Sequence, residues 1–151
     1  MNLPDKLPIV RMEDYHTHHM GIAPDGRQFW GYITFVFLVP PEERKGQNWQ
    51  QYRLDYAVMH FFSQEGDYIS SRSYCGGTAD KCEYVDFDEI LDQWTSELGE
   101  VVYDDIEVKL FQTEIDGYVF GLIPKKEFDS ISLEPSSLIS FQEPWDGEYC
   151  T

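Results

Sequence analysis

Hydrophobic and polar positions along the chain alternate with a period of two over most of its length, and the helical period of 3.6 emerges clearly once. Residues 13–21 (EDYHTHHMG) read as a short strand, and Pro24-Asp25-Gly26 reads as a turn into RQFWGYITFVFLV, a run rich in β-branched and aromatic residues. The polar, Pro- and Gly-punctuated segment 40–50 reads as a surface loop. Residues 52–62 (YRLDYAVMHFF) then carry apolar side chains on both faces of their later half, the pattern of a central strand. Gln64-Glu65-Gly66-Asp67 turns the chain into an antiparallel partner over 68–75.

The helical stripe comprises Phe87, Ile90, Leu91, Trp94 and Leu98. Asp86 and Glu89 form an acidic variant of the capping box at its start, and Gly99 is placed to end it. Residues 104–115, the Asp116-Gly117 turn and 118–124 give the strongest hairpin signal, with Ile106, Val108 and Leu110 facing inward. The expected order is β-β-β-β-α-β-β with an irregular tail. This predicts an α+β fold, an antiparallel β-sheet built from hairpins and packed against one main α-helix over about 86–98, in a single domain spanning 1–151. That helix is too small to cover such a sheet, so the 40–50 loop, the tail or a second subunit must supply more cover, and a homo-oligomer stays open.

Charge changes the functional picture more than the fold. With 28 Asp plus Glu against 11 Lys plus Arg, the formal charge is −17, a repulsive field for nucleic acid. Aromatic residues at 16% separate the chain from disordered acidic sequences. The longest apolar run, ending at Val39, falls far short of the ~20 residues a membrane helix needs, so no membrane partner is expected. The opening MNLPDKLPIVRMEDYH has neither the basic region nor the apolar run of a secretory signal. With that start, Cys75, Cys82 and Cys150 are expected to be reduced thiols of a cytoplasmic protein.

Several constellations could carry chemistry. In Tyr-His-Thr-His-His, a strand would place His16 and His18 on one face about 6.6 Å apart, close enough to share a transition metal with a third ligand from His60, Cys75, Cys82 or an acidic side chain, and His19 would point away. Such a site would suit a metal-dependent hydrolase that activates a bound water; histidines on an exposed polar edge strand are the plainer reading. Cys75 and Cys82 lack any zinc-finger spacing, Gly76-Gly77-Thr78 lacks the lysine of a phosphate loop, and no GxSxG marks a nucleophile, so no catalytic residue is assigned and no cofactor is required.

Asp86, Asp88, Glu89, Asp92, Glu97, Glu100, Asp104, Asp105 and Glu107 form a dense acidic tract. It reads either as a solvated face or as a landing surface for a basic partner protein, with Asp88, Asp92, Glu97, Asp104 and Asp105 as contacts and Trp49 and Trp145 as aromatic anchors. A non-enzymatic protein-binding role is the leading expectation. An immunity-type protein that neutralises a basic toxin is one form of it.

The opening Pro-Asp-Lys-Leu-Pro-Ile, the Tyr-His-Thr at 15–17, Asp25-Gly26-Arg27-Gln28-Phe29, Trp49 before Tyr56-Ala57-Val58-Met59-His60, and Pro144-Trp145-Asp146-Gly147-Glu148-Tyr149 together resemble a small bacterial family. Some of its members are labelled formate hydrogenlyase regulatory protein. The resemblance covers nearly the whole chain and implies a cytoplasmic regulator that acts through protein contacts. It implies no catalytic or ligand set.

Overall fold

A computed structural model describes residues 1–44, 49–82 and 84–151. The strands are β1 (Leu7–Ile9), β2 (His19–Ile22), β3 (Gln28–Phe37), β4 (Arg53–Phe62) and β5 (Tyr68–Thr78), followed by helix α1 (Phe87–Glu97). After it come β6 (Val102–Tyr103), β7 (Ile106–Val108), β8 (Gln112–Ile115), β9 (Tyr118–Lys125), β10 (Ser130–Glu134) and β11 (Ser140–Gln142). They form a five-stranded sheet in the order β5-β4-β3-β2-β6, a four-stranded sheet in the order β11-β10-β9-β8, and the pair β1-β7. Every pairing is antiparallel. The fold is α+β, with one main helix on an antiparallel sheet.

Strands β3 and β4 pair without interruption from Gln28 opposite Phe62 to Phe37 opposite Arg53. Their β-branched and aromatic residues suit a pleated surface, and here both faces of that surface are buried. Phe29, Ala57 and Met59 meet Leu91 and Trp94 of α1 on one face. Trp30, Tyr32, Val58 and Phe62 face Phe120, Leu122, Ile131, Leu133 and Phe141 of the four-stranded sheet on the other, with Leu7, Ile9, Ile106 and Val108 of β1 and β7 closing one end. The Gln28 amide ties these parts together. Its nitrogen donates to the carbonyls of Ser63 and Glu107, and its oxygen accepts from the Glu107 amide at 2.8 Å.

Helix α1 starts as its sequence requires, with the Asp86 carboxylate accepting from the Glu89 amide at 3.0 Å. It ends at Gly99, whose φ of +98° is a left-handed conformation that a side chain would disfavour. At the β8–β9 turn Asp116 and Gly117 both have positive φ, the geometry of a tight type I′ hairpin.

Three expectations from the sequence are corrected. Residues 13–18 are turn and bend, and the strand begins only at His19. The run 104–115 is two strands, with β7 pairing β1 and β8 pairing β9, because the chain bends over Lys109–Phe111 to serve two sheets. The tail is not irregular: β10, β11 and Tyr149 supply much of the missing cover for the large sheet. The loop expected over 40–50 contains a short 3₁₀ turn at Pro41–Glu43 and the start of another at Trp49–Tyr52, and its residues 45–48 lie outside the described residues.

His60 lies in the larger core, fully buried, with Tyr32 Oη 2.8 Å from Nε2 and Ser71 Oγ 2.5 Å from Nδ1. Burial pushes its pKa down to about 3, so the folded ring is neutral at pH 7. An unfolded chain takes up a proton near pH 6.5 that the folded chain refuses until about pH 3, so stability falls as the solution is acidified through that window. The slope from this residue approaches about 1.4 kcal/mol per pH unit. Urea unfolding at pH 7, 6 and 5 should therefore show a shallower decline for His60→Gln than for the parent chain, and equal slopes would contradict a neutral buried ring.

Candidate functional site

A cleft of about 590 Å³ opens between the segment 11–19 and the first turns of α1, lined by Arg11, Met12, Glu13, Asp14, Tyr15, His18, His19, Asp88 and Asp92. Its irregular wall is held by hydrogen bonds rather than by strand pairing. The Asp14 carboxylate accepts from the His16 amide at 2.9 Å, a local turn that aspartate favours. The His16 carbonyl accepts from the indole N–H of Trp30 at 2.9 Å, which anchors the segment to the central sheet. Thr17 Oγ1 accepts from the Met12 amide at 2.8 Å and lies 2.9 Å from the Tyr149 hydroxyl, which donates to Asp14 Oδ1 at 2.7 Å. Burial, with Asp14 nearby, holds that hydroxyl protonated far above the usual phenol range, so it remains a donor to Asp14.

The Arg11 guanidinium donates to the His18 carbonyl through Nε at 3.3 Å and Nη2 at 3.0 Å, and it lies 4.9 Å from the centre of the Tyr103 ring. Tyr103 also stacks on His18, with ring centroids 6.3 Å apart. The opposite wall follows from helix geometry: Asp88 and Asp92 are four residues apart on one face of α1. His19, the first residue of β2, directs its ring toward that helix and its Nε2 lies 2.8 Å from Asp92 Oδ1. It sits opposite Gly31, where an added Cβ would lie 3.0 Å from Leu91 Cδ2 and 3.5 Å from His19 Cβ, so the missing side chain leaves room for this packing.

The residues singled out from the sequence are only partly brought together. His16 is buried beside Tyr15 and Tyr149, and its Nδ1 has no hydrogen-bond partner; desolvation lowers its pKa against the opposing pull of Asp14. His18 is exposed at the cleft. His60 lies in the core between the sheets, whereas His19 faces the helix, so His16, His18 and His60 do not converge on one ion. Among the described residues the combination with metal-ligand spacing is instead His18, His19 and Asp92, whose donor atoms all lie within 4.8 Å of one another. The reason is the bend at His18, which sets its ring edge-on to that of His19 at a centroid distance of 4.7 Å; a continuous strand would separate neighbouring side chains to opposite faces.

Among the acidic contacts, Asp88 and Asp92 are in the cleft, and Asp104 and Asp105 are exposed, with Asp105 Oδ1 accepting from the Arg11 amide at 2.8 Å. Glu97 is engaged by Arg72, whose guanidinium also covers the Trp94 ring at 4.7 Å. Trp49 is 41% exposed but caps Arg53 at 4.5 Å, and Arg53 in turn pairs with Asp55. Trp145 is half-buried against the larger core and donates its indole N–H to the Asn2 carbonyl at 2.8 Å. Arg11, Glu13, Asp14 and Tyr15 carry no site expectation from the sequence, and His19, expected to point away from His18, instead lines the same cleft. The available signal was the Asp88/Asp92 helical pair, which needed a partner on the facing strand. All three cysteines are free thiols, and Cys82 is buried 3.6 Å from Asp55 Oδ2.

Comparison with family models, with curated proteins and with solved structures found no match to this chain. Among the described residues no helix is long and apolar enough to cross a membrane.

The contact of Tyr103 with His18 and Arg11 rests on a close backbone approach at Gly21, where an added Cβ would lie 2.0 Å from the Val102 carbonyl oxygen. Gly21→Ala should therefore displace β6, carrying Tyr103 away from His18 and Arg11, at a cost of about 1–3 kcal/mol. A denaturation midpoint unchanged by the substitution would contradict this packing.

Proposed function

We propose that this chain is a binding protein whose electronegative face, formed by α1, the cleft and the segment 100–107, docks a basic protein partner. The observation that carries this reading is the cleft itself. Among the described residues, Glu13, Asp14, Asp88 and Asp92 line it together with a single cation, Arg11, whose guanidinium is already engaged by the His18 carbonyl. A lysine or arginine side chain from outside would meet carboxylates in a recess where solvent screens them less than on a flat surface. The exposed Tyr15 in its lining and Tyr103 against His18 and Arg11 supply apolar contact for the stem of such a side chain. Asp104, Asp105 and Glu107 extend the field beyond the cleft and would raise the association rate more than the final affinity.

Trp49 and Trp145 are engaged within the chain, so the reading places recognition on the cleft rather than on them. A regulator acting through protein contacts, as the family resemblance implies, would use such a surface. So would an immunity-type protein covering the cationic active site of a toxin. Neither role calls for nucleic-acid or membrane contact.

The test is capture from an extract of the source cells at low salt, followed by measured affinity for the captured protein. The expected partner is basic and loses at least about tenfold in affinity between 50 and 200 mM salt. It should bind at least about tenfold more weakly to Asp88→Asn/Asp104→Asn/Asp105→Asn, while Glu127→Gln/Asp129→Asn, on the far-lying exposed turn after β9, should have little effect. Equal losses in both variants would reduce the effect to net charge and overturn the docking surface.

A further inference from the structure

We propose that His18, His19 and Asp92 form a binding site for one divalent transition-metal ion. Two imidazoles and a carboxylate favour zinc, cobalt or nickel over calcium or magnesium, which prefer all-oxygen surroundings. The donor atoms already lie within 4.8 Å of one another. Bonds of about 2.0–2.2 Å in a tetrahedral site need ligand separations of about 3.3–3.6 Å, so Asp92 must draw back slightly from its 2.8 Å contact with His19, and the closure falls to His18, whose exposed side chain sits on a bend. Asp92 is exposed and helical, and the cleft leaves room for water in the fourth position.

The state of His19 is the second observation. Its ring is 1% exposed, with one nitrogen on Asp92 and the other, Nδ1, without any partner. Against a carboxylate acceptor, Nε2 carries the ring proton, so the neutral ring keeps an unused lone pair on Nδ1. An ion entering between His19 and Asp92 displaces the Nε2 proton, which moves to Nδ1 as the other neutral tautomer. No donor was using that lone pair, so the exchange breaks no hydrogen bond beyond the one the ion replaces. Asp14 and Asp88 offset the charge of the ion, and Arg11, the opposing charge in the cleft, is held on the His18 carbonyl and over Tyr103.

This inference stands apart from the docking role, because the ion alone is the probe. Untagged, chelator-free protein titrated with nickel and cobalt ions should bind one ion per chain, with a cobalt absorption spectrum of nitrogen and oxygen ligation. His18→Ala and Asp92→Asn replace exposed side chains and each should weaken binding at least about tenfold, and Glu127→Gln/Asp129→Asn, exposed and outside the cleft, should stay within about twofold of the parent. If one of the first pair fails to fold by circular dichroism, the other carries the test. Binding that is unsaturable, unaffected by His18→Ala or matched by calcium would overturn the site. So would a thiolate-to-cobalt charge-transfer band, which would move the ion to Cys75 or Cys150.

Discussion

The β3–β4 pair needs cover on both faces, and the rest of the chain is arranged to provide it. A sheet with one wet face alternates apolar and polar residues, whereas the run from Tyr56 to Phe62 is buried throughout. One short helix, with Leu91 and Trp94 as its buried apolar residues, covers one face. The other face takes the four-stranded sheet and the tail, which is why a single-helix fold of this size devotes its last third to strands. Two polar side chains between the sheets find partners. Gln28 bridges two strand systems with three hydrogen bonds, and Thr34 reaches the Pro135 carbonyl at 3.2 Å, so the buried amide and hydroxyl are not left unpaired.

The cleft is a by-product of how that sheet ends. Beyond β2 the sheet has only the two-residue β6, and the segment leading into β2 crosses the sheet edge without pairing. Its backbone groups then need other partners, and Trp30, Thr17, Asp14 and Arg11 supply them. A loop fixed by so many separate bonds presents its side chains in a set geometry. His19 is therefore held buried against the helix with the exposed His18 beside it at the rim, and the helix carboxylates complete the recess.

The legible part of the fold was the part governed by period. Asp86, the Phe87–Leu98 stripe and Gly99 specified the helix, and Asp116-Gly117 specified its hairpin, because each rests on contacts within a few residues. What the period misjudged depends on distant partners. The alternating run over 104–115 gives no sign that Lys109–Phe111 bends to serve two sheets, and in the tail the pair Ile131/Leu133 and the lone Phe141 make runs too short to announce strands of their own. The histidine cluster shows the same limit. Its composition drew notice, but strand geometry assigned His16 with His18, and the turn made by Asp14 and Trp30 exchanged His16 for His19. His60 was a sound strand residue and a poor ligand, since its place opposite Trp30 puts it in the core.

Charge gives the cleft its chemical direction. Clustered carboxylates repel one another and lower the stability of the folded chain, a cost that falls when a cation is present. Within the chain this compensation is sparse on the acidic side: Arg72 engages Glu97, and Arg11 serves a carbonyl and the Tyr103 face. A guanidinium or ammonium from a partner and a metal ion at His18, His19 and Asp92 would answer the same electrostatic deficit by different chemistry. The imidazoles discriminate between them, because soft nitrogen lone pairs reward a transition metal and offer little to an ammonium group. A long basic side chain gains instead from the Tyr15 and Tyr103 rings at the rim. The two ligands would compete at Asp92, and occupation of the recess by an ion would lower its attraction for a basic surface by neutralising one of the carboxylates that line it.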